Sequence, residues 1–212
     1  MTGADRPPSS PPPLDPSQKA RLLRVAADTV AAVLAGTEPR VPDPAGYEPP
    51  LRKPAATFVT LERNHRLLGC IGSLEPNRPL VASVAHHALA AAFSDPRLPA
   101  VTLDDFPTMG ISVSHLGPLV PTGAHDYDEL TAILHPGRDG ILLDADGHQA
   151  TFLPSVWKQV PDVDELLTQL WAKAGLGRRV WPPGTRVLRY VTAEFTDPGP
   201  RPAVNNSRPT PG

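Results

Sequence analysis

Proline most restricts what this chain can become. Of its 212 residues, 29 are proline, and each one fixes φ and removes a backbone donor, so helix interiors and central strands exclude it. The prolines gather at the two ends and between periodic segments. Residues 1–14 and 198–212 are Pro-, Ser- and Gly-rich with little apolar content, which predicts disordered tails around one folded body over 15–197. Hydrophobic residues make up 40% and charged residues 20% of the chain, enough for that body to form a core without metal or disulfide staples.

Inside the body, the spacing predicts mixed elements. Asp15-Pro16 reads as a helix start, Leu23, Ala27, Val30 and Leu34 recur at helical spacing, and Gly36 is a stop signal. Thr57 to Leu61 and Leu67 to Ile71 read as strands joined across Arg63-Asn64-His65 in a hairpin. Pro79 to Ser94 is an Ala-rich helix with Leu80, Val84, Ala88 and Ala91 on one face, ending at Asp95-Pro96. A strand begins at Ile111, a short helix lies near Asp128 to Leu134, and Ile141 to Thr151 forms a hairpin turned by Asp146-Gly147. Asp162 to Ala174 returns to helical spacing before Gly175, and Val187 to Phe195 closes the body as one strand. There is no β-α-β rhythm, so the predicted fold class is α+β, a mainly antiparallel sheet with packed helices.

The formal net charge of −2 argues against a nucleic-acid partner, which needs a strong basic footprint. No apolar segment near the start suits a secretion signal, and no run approaches the ~18 residues of a membrane span, so a cytoplasmic location without membrane attachment is expected. The single cysteine, Cys70, rules out an internal disulfide and a multi-cysteine metal site. The seven histidines show no metal-ligand spacing: His86 and His87 are helix neighbours that project about 100° apart, and the others fall in separate segments. No metal and no cofactor is therefore expected, and no Gly-rich loop is present to cradle a phosphate.

Cys70 is the candidate for chemistry. Gly69 and Gly72 flank it in Leu68-Gly69-Cys70-Ile71-Gly72-Ser73, and glycines permit close backbone approach, which could expose the sulfur and aim peptide N–H groups at it. The alternative is a buried structural thiol in a tight turn or bulge. Period-two spacing puts Arg66, Leu68 and Cys70 on one face, where Arg66 would lend positive potential. Asp95-Pro96-Arg97 offers a carboxylate and a guanidinium, either to each other as a turn clamp or to a ligand.

Taken together, Leu68-Gly69-Cys70-Ile71-Gly72-Ser73-Leu74-Glu75-Pro76, Arg78-Pro79-Leu80 and Ala90-Ala91-Ala92-Phe93-Ser94-Asp95-Pro96-Arg97 resemble the AMMECR domain family, whose bacterial members are called AmmeMemoRadiSam system protein A. The likeness continues through Ile111-Ser112-Val113-Ser114, Gly140-Ile141-Leu142-Leu143, Thr151 to Trp157, and Lys173-Ala174-Gly175-Leu176, and it finishes near Glu194-Phe195. It implies a larger and a smaller lobe. Two positions depart from the family pattern: Leu68 stands where an arginine is usual, and His87 where an asparagine is common.

The resemblance implies work beside a Memo-like protein and a radical S-adenosylmethionine enzyme in a modification pathway. The binding site would include Arg66, Gly69, Gly72, Ser73, Glu75, Arg78, His87, Asp95 and Arg97. An enzyme reading makes Cys70 a nucleophile, with Arg66 or a histidine tuning it and Glu75 or Asp95 orienting the reacting group. A third reading is RNA binding for a modification step, which would need a local basic cluster.

Overall fold

The computed structural model describes residues 7–204. The described chain divides into two compact units: one holds residues 12–115 and 193–204, and the other holds residues 7–11 and 116–192. The first six and the last eight residues of the two expected tails lie outside the described residues.

The first unit begins with helix α1 (Pro16–Leu34). Asp15 caps it by accepting from the Gln18 N–H, while the Gln18 side chain returns to the Asp15 N–H, a reciprocal capping box. Gly36, at φ 76°, follows its end. A short helix α2 (Pro49–Arg52) leads to strands β1 (Thr57–Arg63) and β2 (Arg66–Ser73). Their turn uses positive φ at both Asn64 and His65, 50° and 62°, the twist that suits a two-residue hairpin. Helix α3 (Leu80–Phe93) follows, then strand β3 (Gly110–Leu116).

Together with β8 (Thr192–Asp197), these strands form an antiparallel sheet in the order β2-β1-β3-β8. Alternation along β1 sends Thr57, Val59 and Leu61 to the buried face, level with His115, Val113 and Ile111 of β3. That face packs on α1 and α3 through Leu22, Val30, Val84 and Ala88.

The second unit holds β4 (Val120–Pro121), helix α4 (Tyr127–Ile133), β5 (Gly140–Ala145), β6 (His148–Phe152), helix α5 (Val163–Lys173) and β7 (Arg186–Tyr190). Its sheet is antiparallel in the order β4-β7-β5-β6. The β5–β6 turn uses Asp146 at φ 48° and Gly147 at φ 79°, as Asp-Gly at that position predicts. Its core centres on Trp171, fully buried, edge-on to Tyr127 and stacked on Trp181, with the indole N–H donated to the Val180 carbonyl.

The α+β, antiparallel reading holds, with two structural corrections. The strand expected over Val187 to Phe195 is two strands: β7 and β8 belong to different sheets, and the break falls at Val191. The pairing of β2 with β1 also shifts register between Leu61 and Glu62, which pair with Gly69 and Leu67 and skip Leu68. That bulge breaks the period of two, so Leu68 enters the apolar core while Cys70 pairs with Thr60 on the other face. Arg66, Leu68 and Cys70 therefore do not share a face. Both stretches expected as tails also make described contacts: a Cβ on Gly117 would lie 2.1 Å from the Ser9 carbonyl oxygen, and Arg201 donates to the Phe106 and Met109 carbonyls.

Helix and sheet approach closely in the first unit at Gly69, where an added Cβ would stand 1.9 Å from the Ala91 carbonyl oxygen. That oxygen is backbone and cannot rotate away. Gly69→Ala should lower stability by about 1–3 kcal/mol in urea melts, whereas Gly46→Ala, with nothing within 4 Å, should stay within about 0.5 kcal/mol of the parent.

Candidate functional site

Cys70 lies on β2, an edge strand of its sheet, directly across from Thr60. Residues paired across an antiparallel ladder present side chains to the same face, and the Thr60 hydroxyl donates to the Cys70 sulfur at 3.2 Å. The thiol is half-buried. On the edge side, the Cys70 peptide is held from both ends. Its N–H donates to Asp95 Oδ2 at 3.0 Å, and its carbonyl accepts from Arg97 Nη2 at 3.0 Å.

The two clamp residues are locked to each other. Arg97 donates Nε and its own backbone N–H to Asp95 Oδ1, at 2.9 and 3.1 Å, and Nη2 to Oδ2 at 2.7 Å. This is the fork geometry in which a guanidinium binds a carboxylate most strongly. The Asp95 side chain is 1% exposed and that of Arg97 54%, so the pair has an anchored acid and a solvent-reaching base. Hydrogen bonds from Arg97, opposed by burial and reinforced by the Cys70 N–H, hold the Asp95 carboxyl well below the usual carboxylate range. The same pairing raises the Arg97 pKa. Pro96 fixes the turn between them.

Both glycines of the motif are there for packing. Gly69 admits the Ala91 carbonyl, and a Cβ on Gly72 would fall 2.2 Å from the Phe58 ring and 2.4 Å from the Thr57 carbonyl oxygen. Ser73 accepts the Glu75 N–H and so shapes the turn after β2. Glu75 and Arg78 are exposed; the Arg78 carbonyl accepts from the Ala55 N–H, and its side chain reaches Asn77. Arg66 is exposed at the far end of β2, level with Arg63. Among the described residues, no hydrogen bond or ion pair joins Arg66, Glu75 or Arg78 to Cys70. The structure thus gathers Cys70, Asp95 and Arg97, and adds Thr60, which only the hairpin register could have singled out.

His87 belongs elsewhere. It is buried on α3 and shares hydrogen bonds through Nδ1 with Thr57 Oγ1 at 2.9 Å and Ser83 Oγ at 3.4 Å. Thr57 lies on the helix-packed face of β1, and Thr60 on the other, so the imidazole and the thiol are on opposite faces of the sheet. His86, its neighbour, is exposed and meets it edge-on. His115, level with Thr57 on β3, is also buried, and its Nδ1 has no partner among the described residues. No group of three or more His, Cys, Asp or Glu side chains able to hold a metal occurs among the described residues, and none of their helices is long and apolar enough to cross a membrane.

Burial, with smaller contributions from His86 and Arg78, pushes the His87 pKa down to about 4. Burial lowers that of His115 as well. A base whose folded pKa lies below its unfolded value of about 6.5 binds its proton more readily in the unfolded chain. Its contribution is fully present above pH 6.5 and is lost as pH falls toward 4. Urea unfolding should therefore show a loss on the order of 3 kcal/mol between pH 7 and pH 4, and His87→Asn should flatten that slope. An unchanged slope in the variant would place the titrating group elsewhere.

The AMMECR1 family profile matches residues 23–195. The chain is 30% identical over 190 residues to a protein of Methanothermobacter thermautotrophicus, covering 88% of this chain and 98% of that one. It is 32% identical over 205 residues to a protein of Thermofilum pendens, covering 89% and 93%. Its fold is similar to the crystal structure of the uncharacterized protein PH0010 from Pyrococcus horikoshii, with a TM-score of 0.78 and 29% identity over 88% of this chain and 95% of that one. With the Gly-Cys-Ile-Gly strand, the Asp95-Pro96-Arg97 clamp and all but the last two residues of the two sheets inside the matched span, the chain belongs to the AMMECR1 family.

Proposed function

We propose that the clamped edge around Cys70 is a binding surface and not a nucleophilic centre, and that through it the protein acts beside a Memo-like protein and a radical S-adenosylmethionine enzyme in a modification pathway. One observation carries the reading of the site. The peptide of Cys70 is fixed on both sides by Asp95 and Arg97 while its sulfur has the Thr60 hydroxyl as partner. A nucleophilic thiol is activated by a base within hydrogen-bond reach or by a neighbouring cation; the His87 imidazole is turned to the opposite face, and the Arg97 guanidinium is engaged by the Asp95 carboxylate and the Cys70 carbonyl. A threonine hydroxyl does not take up a proton at neutral pH.

The same geometry suits recognition. A rigid, pre-ordered backbone loses little entropy on binding, and Arg97, half of whose side chain stays in solvent, offers donors to a carbonyl or an anionic group beside the fixed strand. The pathway assignment draws on the resemblance of the motif to AmmeMemoRadiSam system protein A, and on no contact within this chain.

The test uses purified Memo-like and radical enzymes from the same cell. Binding, or a change in their turnover when this protein is added, is expected; it should persist in Cys70→Ser and fall about tenfold or more in Arg97→Ala, assayed at a temperature where that variant, which loses the partner of the buried Asp95, is still folded. The proposal fails if neither enzyme responds. It also fails if Cys70→Ser abolishes the effect in a folded protein, which would make the thiol chemical after all.

A further inference from the structure

A concavity lies away from Cys70, within the first unit. It has a volume of about 500 Å³, in the range of small-molecule sites. One wall is α1 and the other is the segment after β8, and its surface is mainly apolar, with Leu23, Ala27, Phe106 and Val204 among the lining residues. Alanines on α1 leave the space. The opposite wall is held rigid by Arg201, whose side chain is 9% exposed. That guanidinium donates to the carbonyls of Phe106 and Met109 and to Asp197 Oδ2, lies over the Phe106 ring, and keeps a buried Nε without a partner among the described residues.

Two of the charges at this cavity are not spent on a partner. Arg24 and Asp28 both line it, both are exposed, and neither makes a hydrogen bond or ion pair among the described residues. They stand four apart on α1, in the order that supports a helical pair least, with the cation nearer the N-terminus. Arg201 and Asp197 neutralise each other. The unspent set is therefore one guanidinium and one carboxylate, a helical turn apart, beside an apolar floor.

We propose that this cavity binds a small zwitterion with an apolar body, by chemical class an apolar α-amino acid. Its carboxylate would pair with Arg24, its ammonium would pair with Asp28, and its side chain would cover Leu23, Ala27 and Phe106. A dianion would face Asp28 uncompensated, and a lone cation would face Arg24, so complementarity selects a molecule carrying both charges. The site is independent of the Cys70 edge.

Calorimetric titration of the full chain with L-leucine, L-phenylalanine and L-tryptophan tests it, beside 3-phenylpropionate and phenethylamine, which each carry half of the zwitterion. Binding of at least one amino acid is expected, with both half-ligands weaker by about tenfold or more. Arg24→Ala and Asp28→Ala, at exposed positions that leave the core untouched, should each weaken binding about tenfold, and Ala27→Trp should fill the cavity and abolish it. The proposal is overturned if none of the three amino acids binds at millimolar concentration, if 3-phenylpropionate binds as tightly as phenylalanine, or if Arg24→Ala leaves the affinity unchanged.

Discussion

The first unit depends on an approach that only glycine allows. With no Cβ on Gly69, α3 lies against β2 at a separation that any other residue would fill with an atom 1.9 Å from the Ala91 carbonyl oxygen. The helix then ends at Phe93, and the next residues emerge beside the edge of β2. Asp95 Oδ2 is brought within 3.0 Å of the Cys70 backbone nitrogen, and Arg97 closes on the carbonyl of the same residue. The clamp is thus a consequence of the packing. Loosening the helix would move the acid and the base together.

An edge strand leaves N–H and C=O groups unpaired, and proteins commonly cover them with charge. Here the cover is an ion pair with one buried and one exposed member. Burying a lone carboxylate would carry a large desolvation penalty; the fork from Arg97 and the peptide N–H of Cys70 offset it. The second sheet caps its edge strand β6 in a related way, with Lys173 Nζ donating to the Thr151 carbonyl at 2.9 Å. On edge strands β2 and β6 a basic side chain thus occupies one backbone carbonyl, which discourages indiscriminate strand addition there.

Local signals in the sequence locate most elements because their causes are local. Asp15 with Gln18, the Asn64-His65 turn, Asp146-Gly147, Gly36 and Gly175 each work through a backbone conformation or a bond three residues away. What could not be read there arises from partners distant in the chain. Nothing in Val187 to Phe195 marks Val191 as the point where the strand leaves one sheet for another. The bulge at Leu68 follows from register against β1, and it removed Arg66 from the thiol's face. His87 looked like a ligand-facing residue of the motif, whereas its hydroxyl partners Thr57 and Ser83 turn it inward. Asp95 and Arg97 were visible as a pair, and their hold on the Cys70 peptide was not.

If Cys70 is held for its backbone and not for its sulfur, its alkylation rate with iodoacetamide, in folded and urea-unfolded protein at the same neutral pH, will show it. A half-buried thiol that accepts from Thr60 and, among the described residues, has no imidazole or carboxylate hydrogen-bonded to its sulfur should react no faster folded than unfolded. A folded protein that reacts faster than its unfolded chain would show an activated sulfur and contradict the account.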